Sequence, residues 1–169
     1  MLGLAAAHTL GIAFEVAARD HVLRPLGMDD SAFTPSRSGP GVATPYGSIA
    51  PPAVGSDPAD GMRLVATPMG GLTSSVLDLA RFGQMILDGG RSGDARFLQP
   101  ETVAASTSLQ ATNHPGLDQG YGLGLKVRTW RGRRVVGHDG NMPGVATQLL
   151  LAPDDGAGVV VLTNGYALG

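Results

Sequence analysis

The sequence predicts an α+β fold in which helices come first and an antiparallel β-meander follows. Three observations carry this. Apolar residues recur at helical spacing from Phe14 to Val22 and again from Val76 to Leu87. After Gly120 the apolar period changes to two. The turn signals Arg131-Gly132 and Pro153-Asp154-Asp155-Gly156 then separate short apolar runs.

The opening stretch "MLGLAAAHTLGIAF" has no basic residue ahead of its apolar run and is interrupted by Gly11. It reads as a buried helix closed by a turn rather than as a leader. Phe14, Ala17, Ala18, His21 and Val22 form the next helical stripe, which Pro25 stops before Leu26-Gly27-Met28 turns the chain away. Residues 34–66 hold six of the twelve prolines and predict a long irregular loop. Ser75, with Asp78 three residues on, is a capping-box signature. Val76, Leu79, Ala80, Gly83, Ile86 and Leu87 follow at helical spacing, and Gly89-Gly90 supplies the stop. A shorter helix starts near Pro100, where a missing N–H costs nothing.

In the meander, Leu123, Leu125, Val127 and Thr129 face one way and Lys126, Arg128 and Trp130 the other. The glycines of "GYGLGLK" fall inside this strand and serve close packing. Arg131-Gly132 leads into a strand over Arg133–Gly137, followed by a glycine loop containing His138. Strands over Val145–Ala152 and Ala157–Asn164 are apolar at nearly every position, which predicts cover on both faces. The 169 residues are expected to form a single partial domain without internal repeats.

Composition narrows the function. Hydrophobic residues make up 43% and charged residues 15%, the balance of a globular chain. The net charge is −2 and the eleven arginines form no basic stripe, so neither nucleic acid nor an anionic membrane is an expected partner. Without cysteine there is no thiol catalysis and no thiolate metal site. The four histidines show no i, i+4 pairing and no His-Glu-x-x-His context, so neither metal nor cofactor is expected. "GYGLGLK" fits neither a dinucleotide nor a Walker loop, and Gly-x-Ser-x-Gly is absent. No apolar run reaches transmembrane length.

His138 is the residue that raises a chemical question, because an imidazole takes and gives a proton near neutrality. On the residues alone two readings stand. Gly137, Gly140 and Gly144 are turn residues with His138 packing among them, or His138 belongs to a site.

Four segments decide between them. "VLRPLGMDDSAF", "GGLTSSVLDLARFGQMILDGG", "GYGLGLKV" and "GHDGNMPGVATQLLLAPDDGAGVVVLTNG" resemble, in that order, the C-terminal half of the serine β-lactamase-like hydrolases. That family includes class C β-lactamases, D-alanyl-D-alanine carboxypeptidases and related esterases. The resemblance implies an incomplete β-lactamase/transpeptidase-like fold and acyl transfer through three motifs: Ser-x-x-Lys, Tyr-x-Asn or Ser-x-Asn, and Lys-Thr-Gly or His-x-Gly. His138-Asp139-Gly140 resembles the third. By that resemblance His138 is a catalytic-site residue and Gly140 leaves room for an acyl group. The backbone N–H of Asn141 is an oxyanion donor, and Asp139 and Gly144 border the substrate.

The first two motifs do not occur. Leu123 stands three residues before Lys126, the only lysine, and no tyrosine or serine begins a Tyr-x-Asn or Ser-x-Asn. The resemblance places both motifs in an upstream half of the fold, and a covering helix after "LTNG". It therefore implies exposed apolar strand faces, an unpaired sheet edge, and no acyl transfer by these residues alone. The expected partners are a small-molecule or peptide acyl substrate in the complete protein and the upstream half. A non-catalytic binding module derived from the same fold is the alternative.

Overall fold

The computed structural model describes residues 2–33, 41–43, 67–112, 116, 118–142 and 144–165. Apart from 41–43, the loop predicted over 34–66 lies outside the described residues, as do Tyr46, His114 and Tyr166. The chain forms two compact units. One comprises Met1–Asp78, Gly140–Ala146 and Leu162–Gly169; the other comprises Leu79–Asp139 and Thr147–Val161.

In the first unit, α1 (Leu2–Leu10) ends where Gly11 takes a left-handed φ of +67°. The predicted helix forms, but it is not buried. Leu2 is 88% and Leu4 71% exposed, while only Gly3 is enclosed, against Pro68 and Phe14. An apolar sequence all round a helix needs neighbours all round it, and among the described residues only the Gly3 side has close ones.

The next helix, α2 (Phe14–Ala18), passes into a π-helical turn over Arg19–Leu23. The N–H of Arg24 donates to the Arg19 carbonyl at 2.9 Å and that of Met28 to Leu23 at 2.8 Å. The wider turn rotates the buried face away from the predicted stripe. Ala17 is buried and Phe14 stands edge-on to Phe33, their rings 5.0 Å apart, yet His21 is exposed. Leu23, Leu26 and Met28 are buried in its place. After a short α3 (Thr67–Gly70), Thr73 pairs with Ala32 through two backbone hydrogen bonds of 2.9 and 3.0 Å.

The long helix α4 (Val76–Leu87) begins as predicted, the Ser75 hydroxyl accepting from the Asp78 N–H at 3.2 Å. The Asp78 side chain is fully buried and ties this start to the earlier loop. Its carboxylate accepts from the Asp30 N–H at 2.9 Å and the Ser31 hydroxyl at 2.8 Å.

Within the second unit, Gly83, Met85 and Ile86 of α4 are buried, whereas Ala80 of the predicted stripe is exposed. Gly83 lets Leu149 and Leu151 approach the helix. Gly89 and Gly90 end it with φ of +63° and +91°. A small hairpin of β1 (Arg91–Ser92) and β2 (Ala95–Arg96) follows, which the sequence pattern did not predict. Then α5 (Pro100–Thr107) starts on its proline.

The meander is a six-stranded sheet whose order follows the chain. Its strands are β3 (Ala111–Thr112), β4 (Gln119–Tyr121), β5 (Lys126–Trp130), β6 (Arg133–Met142), β7 (Val145–Ala152) and β8 (Ala157–Thr163). "GYGLGLK" is a hairpin, not a strand interior. Tyr121 sits opposite Lys126, the Gly122 N–H donates to the Leu125 carbonyl at 2.8 Å, and Gly124 has φ +83°. Leu123 is accordingly exposed, while Leu125 and Val127 are buried. Packing does require glycine at 120 and 122: a Cβ would strike the carbonyls of Ala111 and Ser106.

The last strand is not covered on both sides. Gly158 lies against Leu151 and Leu87, but Val159 is 50% and Val161 46% exposed. No described element lies over that outer face, so an apolar sequence alone does not bury it. Among the described residues no helix is long and apolar enough to cross a membrane.

Candidate functional site

His138 does not sit in a loop: β6 runs on through it to Met142. The strand reaches it because the Arg131-Gly132 turn, with φ of +51° and +76°, sets the register of β5 against β6. In that register Trp130 faces Arg133, Val127 faces Val136, and Lys126 faces Gly137. A Cβ on Gly137 would collide with the Leu149 carbonyl, so the residue before His138 has to be glycine.

The His138 side chain is exposed. Its Nδ1 lies 2.7 Å from the carbonyl oxygen of Asp139, and its ring is tilted toward Tyr121 with centroids 6.3 Å apart. The His138 carbonyl accepts from Gln148 Nε2 at 3.3 Å. Asp139 is two residues beyond the position opposite Lys126, a diagonal neighbour within reach of a long side chain. Its carboxylate forms an ion pair with Lys126 Nζ. The hydrogen bond from Lys126 holds the Asp139 carboxyl below its ordinary range, and the same bond raises the Lys126 ammonium above its own. Around the pair lies a recess whose lining includes Lys126, Arg128, His138, Asp139, Gln148 and Leu150.

The other three candidate residues belong to the first unit. Gly140 is half-buried, the Asn141 side chain is exposed, and Gly144 is buried with φ +79°, a left-handed conformation that favours glycine. The second unit thus brings His138 and Asp139 together with Lys126, Gln148 and Tyr121, none of which the sequence had marked as site residues. A signal for Lys126 was present. Counting back from a two-residue turn at Arg131-Gly132 sets it opposite Gly137, diagonal to Asp139. Gln148 and Tyr121 carried no comparable signal. Among the described residues no group of three or more His, Asp or Glu side chains could hold a metal ion.

Helices ahead of an antiparallel meander whose strand order follows the chain match the β-lactamase-like fold class. The chain belongs to the β-lactamase family: the family model described as Beta-lactamase matches residues 1–168. It is 29% identical over 168 residues to penicillin-binding protein 4 of Amycolatopsis lactamdurans, a match covering 92% of this chain and 42% of that protein. It is 33% identical over 163 residues to the putative beta-lactamase-like 1 of Homo sapiens, covering 95% of this chain and 31% of that one. The octameric penicillin-binding protein homologue from Pyrococcus abyssi matches with a TM-score of 0.79 at 26% identity, over 96% of this chain and 36% of that structure. The chain therefore spans less than half the length of the curated relatives it matches.

Proposed function

We propose that this chain supplies one wall of the active site of a serine hydrolase that transfers acyl groups from β-lactams, D-alanyl-D-alanine peptides or small esters. The observation that carries the reading is the His138-Asp139-Gly140 segment, placed on an inner strand of a β-lactamase-family sheet. In this reading His138 exchanges protons with the reacting groups, and Gly140 leaves the strand open to the acyl group. The Asn141 N–H donates to the developing oxyanion. Asp139 and Gly144 shape the substrate-facing rim.

The attacking hydroxyl and its basic partner come from a Ser-x-x-Lys that these 169 residues do not contain. A third motif stabilises and orients but forms no covalent intermediate, so the residues present catalyse no turnover by themselves.

The test is hydrolysis of nitrocefin and p-nitrophenyl esters by three preparations. These are this chain, the chain mixed with a family polypeptide bearing Ser-x-x-Lys and Tyr-x-Asn, and the two joined as one polypeptide. The expected result is no turnover by the chain alone, turnover in a joined or mixed form, and a loss of about 10²-fold or more on His138→Ala. Turnover by the chain alone overturns the mechanism. A joined protein that binds these substrates without hydrolysing them favours a binding module.

A further inference from the structure

The geometry points to Lys126 as a positioning residue that, acting through Asp139, fixes which nitrogen of His138 is free to accept a proton. The inference deepens the reading of His138 as a third-motif residue and rests on it for its catalytic meaning. The tautomer itself follows from the local geometry.

A carbonyl oxygen carries no hydrogen, so across the 2.7 Å contact between His138 Nδ1 and the Asp139 carbonyl the ring must donate. In the neutral imidazole the single N–H is then on Nδ1, and Nε2 holds the lone pair. Two further interactions hold the residue that bears that carbonyl. The Asp139 side chain is anchored to Lys126 on the neighbouring strand, and the preceding carbonyl, that of His138, is held by Gln148 Nε2 at 3.3 Å from the strand on the other side. Asp139 is thus tethered from both flanking strands, through its side chain and through the peptide that precedes it.

Lys126 touches no reacting atom in this scheme. It orients the acceptor that orients the ring, as an outer carboxylate or carbonyl does for a metal-bound histidine. A proton delivered to Nε2 by a substrate or nucleophile hydroxyl leaves an imidazolium whose Nδ1–H still points at Asp139. The proton departs from the same nitrogen to the leaving group, so the ring returns to its starting tautomer without turning.

The test is the nitrogen NMR spectrum of the histidine rings in the full chain at alkaline pH, where imidazole is neutral, with His138→Gln assigning the signal. The unsubstituted chain and Lys126→Arg are expected to show His138 protonated on Nδ1 alone. Lys126→Met and Asp139→Asn are expected to shift it toward a mixture containing the Nε2–H form. Asp139→Asn keeps the size and backbone of the site, so it decides the matter if Lys126→Met does not fold. An Nε2–H ring in the unsubstituted chain overturns the proposal, as does a tautomer ratio unchanged in both variants. The spectrum needs no turnover, so a joined polypeptide that fails to hydrolyse esters counts against the proposed function and leaves this result standing.

Discussion

The Ser31 hydroxyl donates to the Asp78 carboxylate at 2.8 Å, joining residues 47 apart in sequence inside a buried site. With its single proton committed there, Ser31 accepts from Ser74 across a 2.6 Å contact. The Asp30 N–H adds a second donor to the carboxylate. Hydrogen bonds to an ionised acceptor are each worth about 1.5–3 kcal/mol, and donors left bare in a buried site cost more than an exchange with water would. Asp78→Ala should therefore destabilise the chain by about 3–5 kcal/mol. Asp78→Asn, which retains one acceptor oxygen, should cost clearly less. Urea unfolding of the two variants measures this, and equal losses would mean that one retained acceptor oxygen and the conserved volume count for nothing, so that only the intact carboxylate satisfies the Asp30 and Ser31 donors.

The hydrophobic pattern told most about regular elements with one buried face, and least where backbone geometry departed from ideal. The stripe from Phe14 to Val22 announced a helix but put His21 inside, because nothing in residue spacing signals a π-turn that rotates the face before Pro25. In "GYGLGLK" the alternation of leucine and glycine imitates a strand, although Gly122 to Leu125 close a hairpin. The groups packed against Gly120 and Gly122 are chiefly the backbone carbonyls of Ala111 and Ser106, which spacing within the segment does not sample. The site was half-legible for a related reason. His138 stood out as a residue type, whereas Lys126, Gln148 and Tyr121 join it only through strand register.

Arg131 shows how a local conflict can be weighed. It holds a left-handed φ of +51° in a two-residue turn whose twist favours Asn or Gly, at a cost of about 1–2 kcal/mol for an ordinary L-residue. Its guanidinium carbon lies 4.8 Å from the centre of the Trp130 ring, an exposed cation–π contact worth about 0.5–1 kcal/mol. Strain exceeds the contact, so Arg131→Asn should stabilise the chain by about 0.5 kcal/mol. A small rise in the thermal midpoint is the expected reading. A fall of more than about 1 kcal/mol would mean the stacked pair contributes more than an exposed contact ordinarily does.

The Lys126–Asp139 pair has a pH signature of its own. Asp139 titrates below its ordinary range in the folded chain because Lys126 donates to it. Its contribution to stability is therefore complete above the unfolded carboxyl value of about 3.9 and is lost as pH falls through the folded value. Lys126 titrates above its ordinary value, so its share is complete below about 10.4 and lost as pH rises through the folded value. Between those limits the stability difference between the unsubstituted chain and Lys126→Met should be flat, shrinking on the acid side and under added salt. Its height should be small. The two side chains are 42% and 46% exposed, and ion pairs in contact with solvent contribute about 0–1 kcal/mol. Urea unfolding of both proteins across pH measures the curve. A plateau near 0.5 kcal/mol leaves enough fold for the effect on His138 to be read as orientation. A plateau several times higher would make the pair a pillar of the sheet, and changes at the imidazole would then report a loosened strand.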